Sequence, residues 1–150
     1  MTATATDISI PVIDLSTWGP ASAQPPGNVV AEVDRALRTV GFFVLTGHGV
    51  EPALIEATFE QAARFHAQPD AAKLSVRLDQ NNNGYMPPKS TTIRTSTVAE
   101  NKGADLNEAF FFRPQLSPDH PDVKAGRRYR GLNQWPENLP GFRDTCLAYS

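Results

Sequence analysis

The sequence predicts an α+β fold in which helices predominate over short strands. Residues 10–15 and 42–46 are rich in β-branched and aromatic side chains, a composition that is typical of short strands. Between and after these segments, apolar residues recur at the spacing of amphipathic helices. With 150 residues and a hydrophobic content of 40%, the chain is long enough to build the core of one ordinary domain.

The first 50 residues are predicted to form a strand, a helix and a second strand after a flexible tail at residues 1–8. Asn28 is the expected N-cap of the helix, and Gly41 stands where a helix-ending glycine belongs. Residues 42–46 show no alternation with polar residues, so we expect a strand that is covered on both faces. The predicted apolar stripe of the helix consists of Val29, Val33, Leu37 and Val40.

A second helix is predicted to begin at Pro52, since proline suits the first helical turn. It should end near Gln68, because Pro69 disfavours a helical conformation in the residue before it. Asp70 is positioned to cap a short third helix that runs through Val76. The predicted buried face of the second helix consists of Leu54, Ile55, Phe59, Ala62, Ala63 and Phe65.

The remaining residues are predicted to contain more loop than regular structure. Residues 81–84 read Asn-Asn-Asn-Gly, which is turn chemistry, and residues 89–105 are expected to form a long loop. Residues 108–112 are predicted to form a short aromatic strand. The proline-rich residues 114–140 are predicted to form an extended segment.

A last helix is expected to open at Pro140 and Gly141. Its apolar positions are Phe142, Cys146 and Tyr149. No capping signal precedes the end at Ser150, and a helix of about ten residues is marginal without a packing partner. Such a helix either docks on the preceding domain or is followed by further chain, and of the two we expect the natural protein to continue beyond this residue.

Composition excludes several classes of function. A formal net charge of −2 argues against a nucleic-acid partner, and the basic residues 124–130 are interpreted as a solvated loop. Cys146 is the one cysteine, so an internal disulfide is excluded and a core position is expected for it. The sequence shows neither a signal-peptide pattern nor a membrane-spanning apolar run, which predicts a cytoplasmic protein with no membrane partner. It also lacks a phosphate-binding glycine loop.

Several short motifs carry a family resemblance through their order along the chain. They are residues 10–15, Gly-Phe-Phe-Val-Leu-Thr-Gly-His-Gly at 41–49, Asn-Gly-Tyr at 83–85, Asn-Glu-Ala-Phe-Phe-Phe at 107–112, Ser-Pro-Asp-His-Pro at 117–121, Asn-Gln-Trp-Pro at 133–136 and Leu-Pro-Gly-Phe-Arg at 139–143. Each motif alone is weak. As an ordered set they resemble the N-terminal region of the isopenicillin N synthase-like family of non-haem iron oxygenases, most of which use 2-oxoglutarate.

The resemblance implies a division of labour within a longer protein. Residues 9–150 would form the N-terminal domain, a helix-rich cap whose short strands extend a double-stranded β-helix, or jelly-roll, core that lies mostly beyond residue 150. In that core, a His-x-Asp…His triad would bind Fe(II) and an Arg-x-Ser pair would hold 2-oxoglutarate. The 150-residue chain alone is therefore expected to be inactive.

The expected activity of the parent protein is oxidation of a small molecule with O2, by hydroxylation or by oxidative cyclisation or desaturation. Family members that do without 2-oxoglutarate exist, so the use of this cosubstrate stays open at this point. The alternative is a stand-alone, non-catalytic module that binds a ligand or a protein. The two hypotheses make different predictions for the last helix. A stand-alone module should bury or cap its apolar stripe, whereas a domain separated from its core should expose it.

One metal-like motif occurs within the chain, at His120 and Asp122. We interpret it as a decoy, since it lies in a proline-punctuated loop and resembles the family's wrapping segment rather than its ligands. His48 is expected to fix the Gly-His-Gly turn through a hydrogen bond to the backbone. His66 is expected to be a packed or surface residue at the end of the second helix, so no metal site is predicted here.

The resemblance implies that residues 82–86 and 108–113 face the substrate. The resulting candidates for the substrate pocket are Asn82, Met86, Phe111 and Arg113. Isopenicillin N synthase-like sequences carry an arginine in the place of Asn82 and a tyrosine in that of Met86, and this chain departs from both. Arg113 could supply the missing positive charge, because a guanidinium binds a carboxylate bidentately. The alternatives are core packing for the three phenylalanines and a surface ion pair for Arg113.

Overall fold

The computed structural model describes residues 9–19, 24–92 and 103–150. The chain divides into two compact units, Met1–Val50 and Glu51–Ser150. The predicted tail at residues 1–8 and the middle of the predicted long loop, residues 93–102, lie outside the described residues.

The first unit is a strand–helix–strand arrangement. It contains β1 (Val12–Asp14), α1 (Gly27–Thr39) and β2 (Val44–Thr46), and β1 pairs with β2 in parallel. Parallel neighbours require a crossover connection, which α1 provides. The core of this unit consists of buried Ile13, Val29 and Ala36, with Leu15, Val33 and Phe43 packed against it.

The ends of α1 confirm one predicted cap and contradict the other. Gly41 has φ of +91° and donates its N–H to the Ala36 carbonyl at 3.0 Å, as a helix-ending glycine does. Asn28 is not the N-cap, because the helix already includes Gly27 and Pro26 takes the capping position. Pro26 makes no side-chain capping bond there.

The buried stripe of α1 also differs by one residue from the prediction. Ala36 is buried, whereas Leu37 is exposed. A helix turns about 100° per residue, so a position seven residues after Val29 returns closer to the same direction than one eight residues after it. Ala36 rather than Leu37 therefore faces the core.

The prediction that residues 42–46 are covered on both faces is wrong in this structure. Phe42 is 55% exposed, and Val44 and Leu45 are exposed as well. Of the apolar residues in this segment, Phe43 packs against the core of the unit. The reason is that the described part of this unit offers β2 one neighbouring strand and one helix, which is too little to cover two faces.

The second unit holds the larger core. Its elements are α2 (Pro52–His66), α3 (Asp70–Leu74), β3 (Gly84–Met86), β4 (Ala109–Phe111), α4 (Pro121–Lys124) and α5 (Phe142–Tyr149). α2 packs against α5, and β3 pairs antiparallel with β4 in a register that sets Tyr85 opposite Phe110. The core consists of Phe65, Val76, Tyr85, Leu139, Phe142 and Cys146, with Phe110, Phe112 and Trp135 packed against it.

Most element positions in the second unit agree with the sequence. Pro52 is the first residue of α2, the strand predicted at residues 108–112 is present as β4, and Phe142 and Cys146 are buried on α5. α3 ends at Leu74 before Val76, and its N-cap is Pro69 with no capping bond from Asp70. The short helix α4, within the segment predicted to be extended, was missed.

The predicted buried face of α2 is wrong at Phe59, which is 75% exposed, and at exposed Ala63. Phe65 defines the direction of the core, and Phe59 lies six residues earlier, about 120° away around the helix axis. Tyr149 on α5 is likewise exposed rather than buried.

None of the helices in the described ranges is both long and apolar enough to span a membrane.

Candidate functional site

The two faces of the β3–β4 hairpin have different surroundings. On one face, Tyr85 and Phe110 join the aromatic core, where the Phe110 ring centroid lies 4.8 Å from that of Phe65 and 5.0 Å from that of Phe142. The neighbouring positions along both strands point to the opposite face, because side chains alternate along a strand. Met86 and Phe111 therefore share this opposite face.

Arg113 continues the alternation beyond β4. Phe112 packs against the core, and Arg113 precedes a proline, which favours an extended backbone. Met86, Phe111 and Arg113 thus lie on one side, which we call the second face of the hairpin. Met86 is buried, Phe111 is 43% exposed and Arg113 is half-buried. Three of the four candidate pocket residues are therefore brought together, although their role in a pocket stays a prediction.

Asn82, the fourth candidate, lies in the turn that leads into β3. It has a left-handed backbone with φ of +58°. Asp79 holds this turn, since its Oδ1 accepts the N–H groups of Asn81 at 2.8 Å and Asn83 at 3.0 Å. Gly84 follows with φ of +111°, and a Cβ at this position would clash with the Val76 carbonyl oxygen.

Two amides that the sequence interpretation missed lock the turn to a distant segment. The fully buried Asn83 donates from Nδ2 to the carbonyls of Gly131 at 3.2 Å and Leu132 at 3.1 Å. Gln134 donates from Nε2 to the carbonyls of Arg77 and Asn83, both at 2.8 Å. The Asn-Gly pair indicated a turn, but no local signal shows these partners in a distant part of the chain.

Asn133 fixes the backbone of Arg113 with a two-point contact. Its Oδ1 accepts the Arg113 N–H at 3.0 Å, and its Nδ2 donates to the Arg113 carbonyl at 2.7 Å. The guanidinium carbon of Arg113 lies 5.1 Å from the ring centroid of Tyr129. Arg113 therefore makes a cation–π contact, and no ion pair joins it to a carboxylate of the described residues, in contrast to the surface ion pair considered from the sequence.

A partly buried polar cluster supports the hairpin from the side of α2 and α3. Lys73 Nζ lies 3.0 Å from Glu108 Oε2, and the Tyr85 hydroxyl donates a short hydrogen bond to the same oxygen. His66 Nδ1 lies 3.2 Å from Glu108 Oε1 without hydrogen-bond geometry. The Lys73 side chain is only 7% exposed. The sequence interpretation missed this cluster, whose members come from four separate segments.

The cluster keeps its charges across the neutral pH range. Hydrogen bonds from Tyr85 and then Lys73 lower the pKa of Glu108 to about 2. The hydrogen bond to Glu108 raises the pKa of Lys73 above its usual value, and burial raises the pKa of the Tyr85 hydroxyl. Lys73 and Glu108 therefore form a permanent ion pair that joins α3 to the start of β4.

The donors of Lys73 are already occupied by protein groups. Besides Glu108, its Nζ contacts the His66 carbonyl and Asp70 Oδ1, each at 3.4 Å. A cavity of about 200 Å³ adjoins these side chains and is also lined by Leu74, Pro87 and Pro88. Because the charges satisfy one another, the cluster acts as a support for the hairpin.

The other two histidines have structural roles in loops and helix ends. His120 caps α4, because its Nδ1 accepts the Asp122 N–H at 3.2 Å. The Asp122 carboxylate lies 3.2 Å from Arg127 and 3.1 Å from Arg130. His48 Nδ1 accepts the Val50 N–H at 3.1 Å, which confirms its predicted turn role.

A metal centre does not fit the described residues. Nowhere in residues 9–19, 24–92 and 103–150 do three or more histidine, cysteine or acidic side chains form a group that could hold a metal ion. No ligands for an iron ion can therefore be assigned among the described residues.

Comparisons with known proteins agree with one family. Residues 10–138 match the family described as "non-haem dioxygenase in morphine synthesis N-terminal". The chain is 35% identical to validamycin A dioxygenase of Streptomyces hygroscopicus subsp. limoneus, over 95% of this chain and 38% of that protein. It is 32% identical to a 2-oxoglutarate-dependent dioxygenase of Talaromyces stipitatus, with coverage of 95% and 44%. For isopenicillin N synthase of Amycolatopsis lactamdurans the identity is 29%, with coverage of 93% and 42%.

Solved structures show the same fold. A 2OG-Fe(II) oxygenase family protein of Caulobacter crescentus superposes with a TM-score of 0.67 at 23% identity, over 94% of this chain and 42% of that chain. A full-length protein of Neurospora crassa, in complex with alpha-KG, gives 0.60 at 22% identity, with coverage of 99% and 41%. The chain spans about two fifths of the length of its relatives. It belongs to the isopenicillin N synthase-like family of Fe(II) and 2-oxoglutarate-dependent dioxygenases, in the family's N-terminal region.

Proposed function

We propose that residues 9–150 form the N-terminal domain of an Fe(II), 2-oxoglutarate-dependent oxygenase that oxidises a small molecule with O2. The outcome would be hydroxylation, or oxidative cyclisation or desaturation. Family membership supports this proposal, as does the chain's coverage of about two fifths of each relative. A cytoplasmic location is part of the proposal.

In this proposal, Fe(II) and 2-oxoglutarate bind to a double-stranded β-helix core that follows residue 150. The described part of the chain contains no group of metal ligands, which supports placing the iron elsewhere. The chain would act as a cap on that core, and the exposed strand β2, with Val44 and Leu45, offers an apolar edge for the contact. The 150-residue chain alone would be inactive.

The chain's own contribution would be one wall of the substrate pocket. The observation that carries this assignment is the shared second face of the hairpin, where Met86, Phe111 and Arg113 lie opposite the aromatic core. Asn82 would stand at the edge of this wall, in the rigid turn before β3. Apolar side chains with one placed charge are the usual lining of a ligand pocket.

The direct test is 2-oxoglutarate turnover by the full-length protein, measured as succinate formed with Fe(II), O2 and a panel of small molecules. We expect turnover by the full-length protein and none by the 150-residue chain. Turnover by the short chain would contradict the division of labour. A native protein of only 16.4 kDa that binds ligands without turnover would favour the stand-alone module.

The pocket wall is tested by two matched phenylalanine variants. Phe111→Ala should raise KM for the small-molecule substrate, because it removes an exposed ring from the proposed wall. Phe59→Ala removes a still more exposed ring from α2 and should leave KM unchanged. Equal KM values for wild type and the Phe111 variant would remove Phe111 from the wall.

A further inference from the structure

An apolar groove lies between α2 and α5. It contains a cavity of about 180 Å³, which is lined by Ile55, Thr58, Phe59, Ala62 and Tyr149. Thr58 and Ala62 also line a neighbouring cavity of about 120 Å³, which reaches the rings of the aromatic core. Two rings of the first cavity are open to solvent, since Phe59 is 75% exposed and Tyr149 is 48% exposed. We call the five residues that line this first cavity the α2–α5 groove.

The two helices run in opposite directions along this groove. At the start of α5, the Phe142 ring stacks on that of Phe65, with 5.2 Å between the ring centroids. At the end of α5, Tyr149 lines the groove together with Phe59, which lies earlier in α2 than Phe65. Tyr149 follows Phe142 by seven residues, so the end of α5 lies about level with Thr58. The first six residues of α2, about 9 Å of helix, therefore lie beyond the end of α5.

The groove has the size and chemistry to accept an apolar side chain. Its volume of about 180 Å³ is similar to that of an engineered apolar cavity of about 150 Å³ that accepts benzene. None of the five lining side chains carries a charge. A continuous apolar surface of this kind, with an exposed ring at its edge, is typical of a surface that contacts another part of a protein.

The small area of the groove favours an occupant from the same chain. A helix is about 10 Å wide, so 9 Å of uncovered helix offers about 100 Å². A stable interface between separate proteins buries about 800 Å² on each partner, which the groove alone falls far short of. A segment of the same chain is already tethered, so it avoids most of the entropy cost of association. Tyr149, next to the last residue of the 150, brings the chain directly to the groove.

We propose that the segment that follows residue 150 in the parent protein continues α5 as a helix and packs in the α2–α5 groove. The apolar positions of α5 are Phe142, Cys146 and Tyr149. The same stripe would return three to four residues, and then about seven residues, after Tyr149. Side chains at those positions would cover Phe59 and the first turns of α2.

This docking leaves the proposed pocket wall open. The groove lies beside the aromatic core, because its neighbouring cavity is lined by Phe65, Phe110 and Phe142. The second face of the hairpin points the other way. The inference rests on the proposed function for the existence of a following segment, and on the geometry of the groove for the place where that segment packs.

The experiment measures how fast cysteines introduced into the full-length protein react with a maleimide, with each modified peptide quantified by mass spectrometry. Phe59→Cys and Ala62→Cys place a thiol in the groove, and the second variant keeps the Phe59 ring. Glu60→Cys is the control, because Glu60 is exposed and lies about 200° around α2 from Ala62. We expect both groove thiols to react at least about tenfold more slowly than the control, since the docked segment must open first. Equal rates for all three variants would overturn the proposal.

Two substitutions at Ser150 test whether the occupant is a continuation of α5. Inside a helix, glycine is less stable than alanine by an amount that makes the open form about fivefold more populated. Phe59→Cys should therefore react about fivefold faster when combined with Ser150→Gly than with Ser150→Ala. If the helix ended at Tyr149, glycine would suit the next position and the rate would not rise. An unchanged or lower rate would overturn the proposal.

Dilution separates the same chain from a second copy. Protection by the following segment is independent of protein concentration, whereas protection by a second copy falls on dilution, which would overturn the proposal. The succinate assay keeps this outcome distinct from the proposed function. Turnover with an open groove removes the docking alone. Protection that depends on Ser150, without turnover, removes the oxygenase proposal and leaves the docked helix.

Discussion

Replacing Phe65 by alanine should destabilise the second unit by about 3–5 kcal/mol, the range for deleting a buried phenylalanine. The side chain is fully buried at the centre of the aromatic core. Its ring centroid lies 4.8 Å from that of Phe110, 5.2 Å from that of Phe142 and 5.7 Å from that of Tyr85. Each such pair contributes about 0.5–1.5 kcal/mol beyond burial, so the upper half of the range is expected.

Phe59→Ala is the matched control on the same helix. Phe59 is 75% exposed, so its truncation should change the free energy of unfolding by less than about 0.5 kcal/mol. The assay is urea unfolding of the 150-residue chain, followed by circular dichroism, with the slopes of the transitions compared between variants. Equal losses for the two variants, or a loss under about 1 kcal/mol for Phe65→Ala, would refute the assigned packing of α2.

Two further predictions concern Glu108 and Gly84. The pKa of Glu108 is about 2 instead of 4.5, so its ionised form stabilises the fold above about pH 4.5 and this contribution disappears as the pH falls toward 2. The difference in unfolding free energy between wild type and Glu108→Gln should shrink over that window in urea titrations, and a constant difference would contradict the ion pair. Gly84→Ala should cost more than about 2 kcal/mol, because φ is +111° and the Cβ meets the backbone. Gly27→Ala is the control, because Gly27 lies in open space at the start of α1 and its substitution should be neutral or stabilising. Thermal unfolding of the wild type and the two glycine variants measures both effects.

Helix ends, turns and strands that are set by the backbone preferences of a few consecutive residues were predictable from the sequence. Pro52 at the start of α2, Gly41 after α1 and the turn before β3 follow from the backbone preferences of proline, glycine and asparagine. The aromatic strand β4 follows from its composition. The same local pattern placed Phe111 and Arg113 two residues apart on one side of a strand.

The direction in which a helix faces was less predictable. α2 carries apolar residues around much of its circumference, so the pattern could not choose between Phe59 and Phe65 as core residues. α1 showed the same ambiguity between Ala36 and Leu37. In α2 the packing partner α5 selects the buried face, and that partner is remote in sequence. In α1 the rotation of about 100° per residue settles the choice once Val29 is buried.

By itself, the sequence determined the kinds and order of most helices and strands and the family to which the chain belongs. The shared face of Met86 and Phe111 follows from the pairing of β3 with β4, which the sequence did not predict. Only the tertiary structure decided that Lys73 pairs with Glu108, that Asn133 clamps Arg113, and that the Arg113 guanidinium meets the Tyr129 ring. Local structure reflects backbone preferences over a few residues, which the sequence displays directly. Charge pairing and side-chain contacts of this kind depend on distances between residues that are remote along the chain, and packing alone sets those distances.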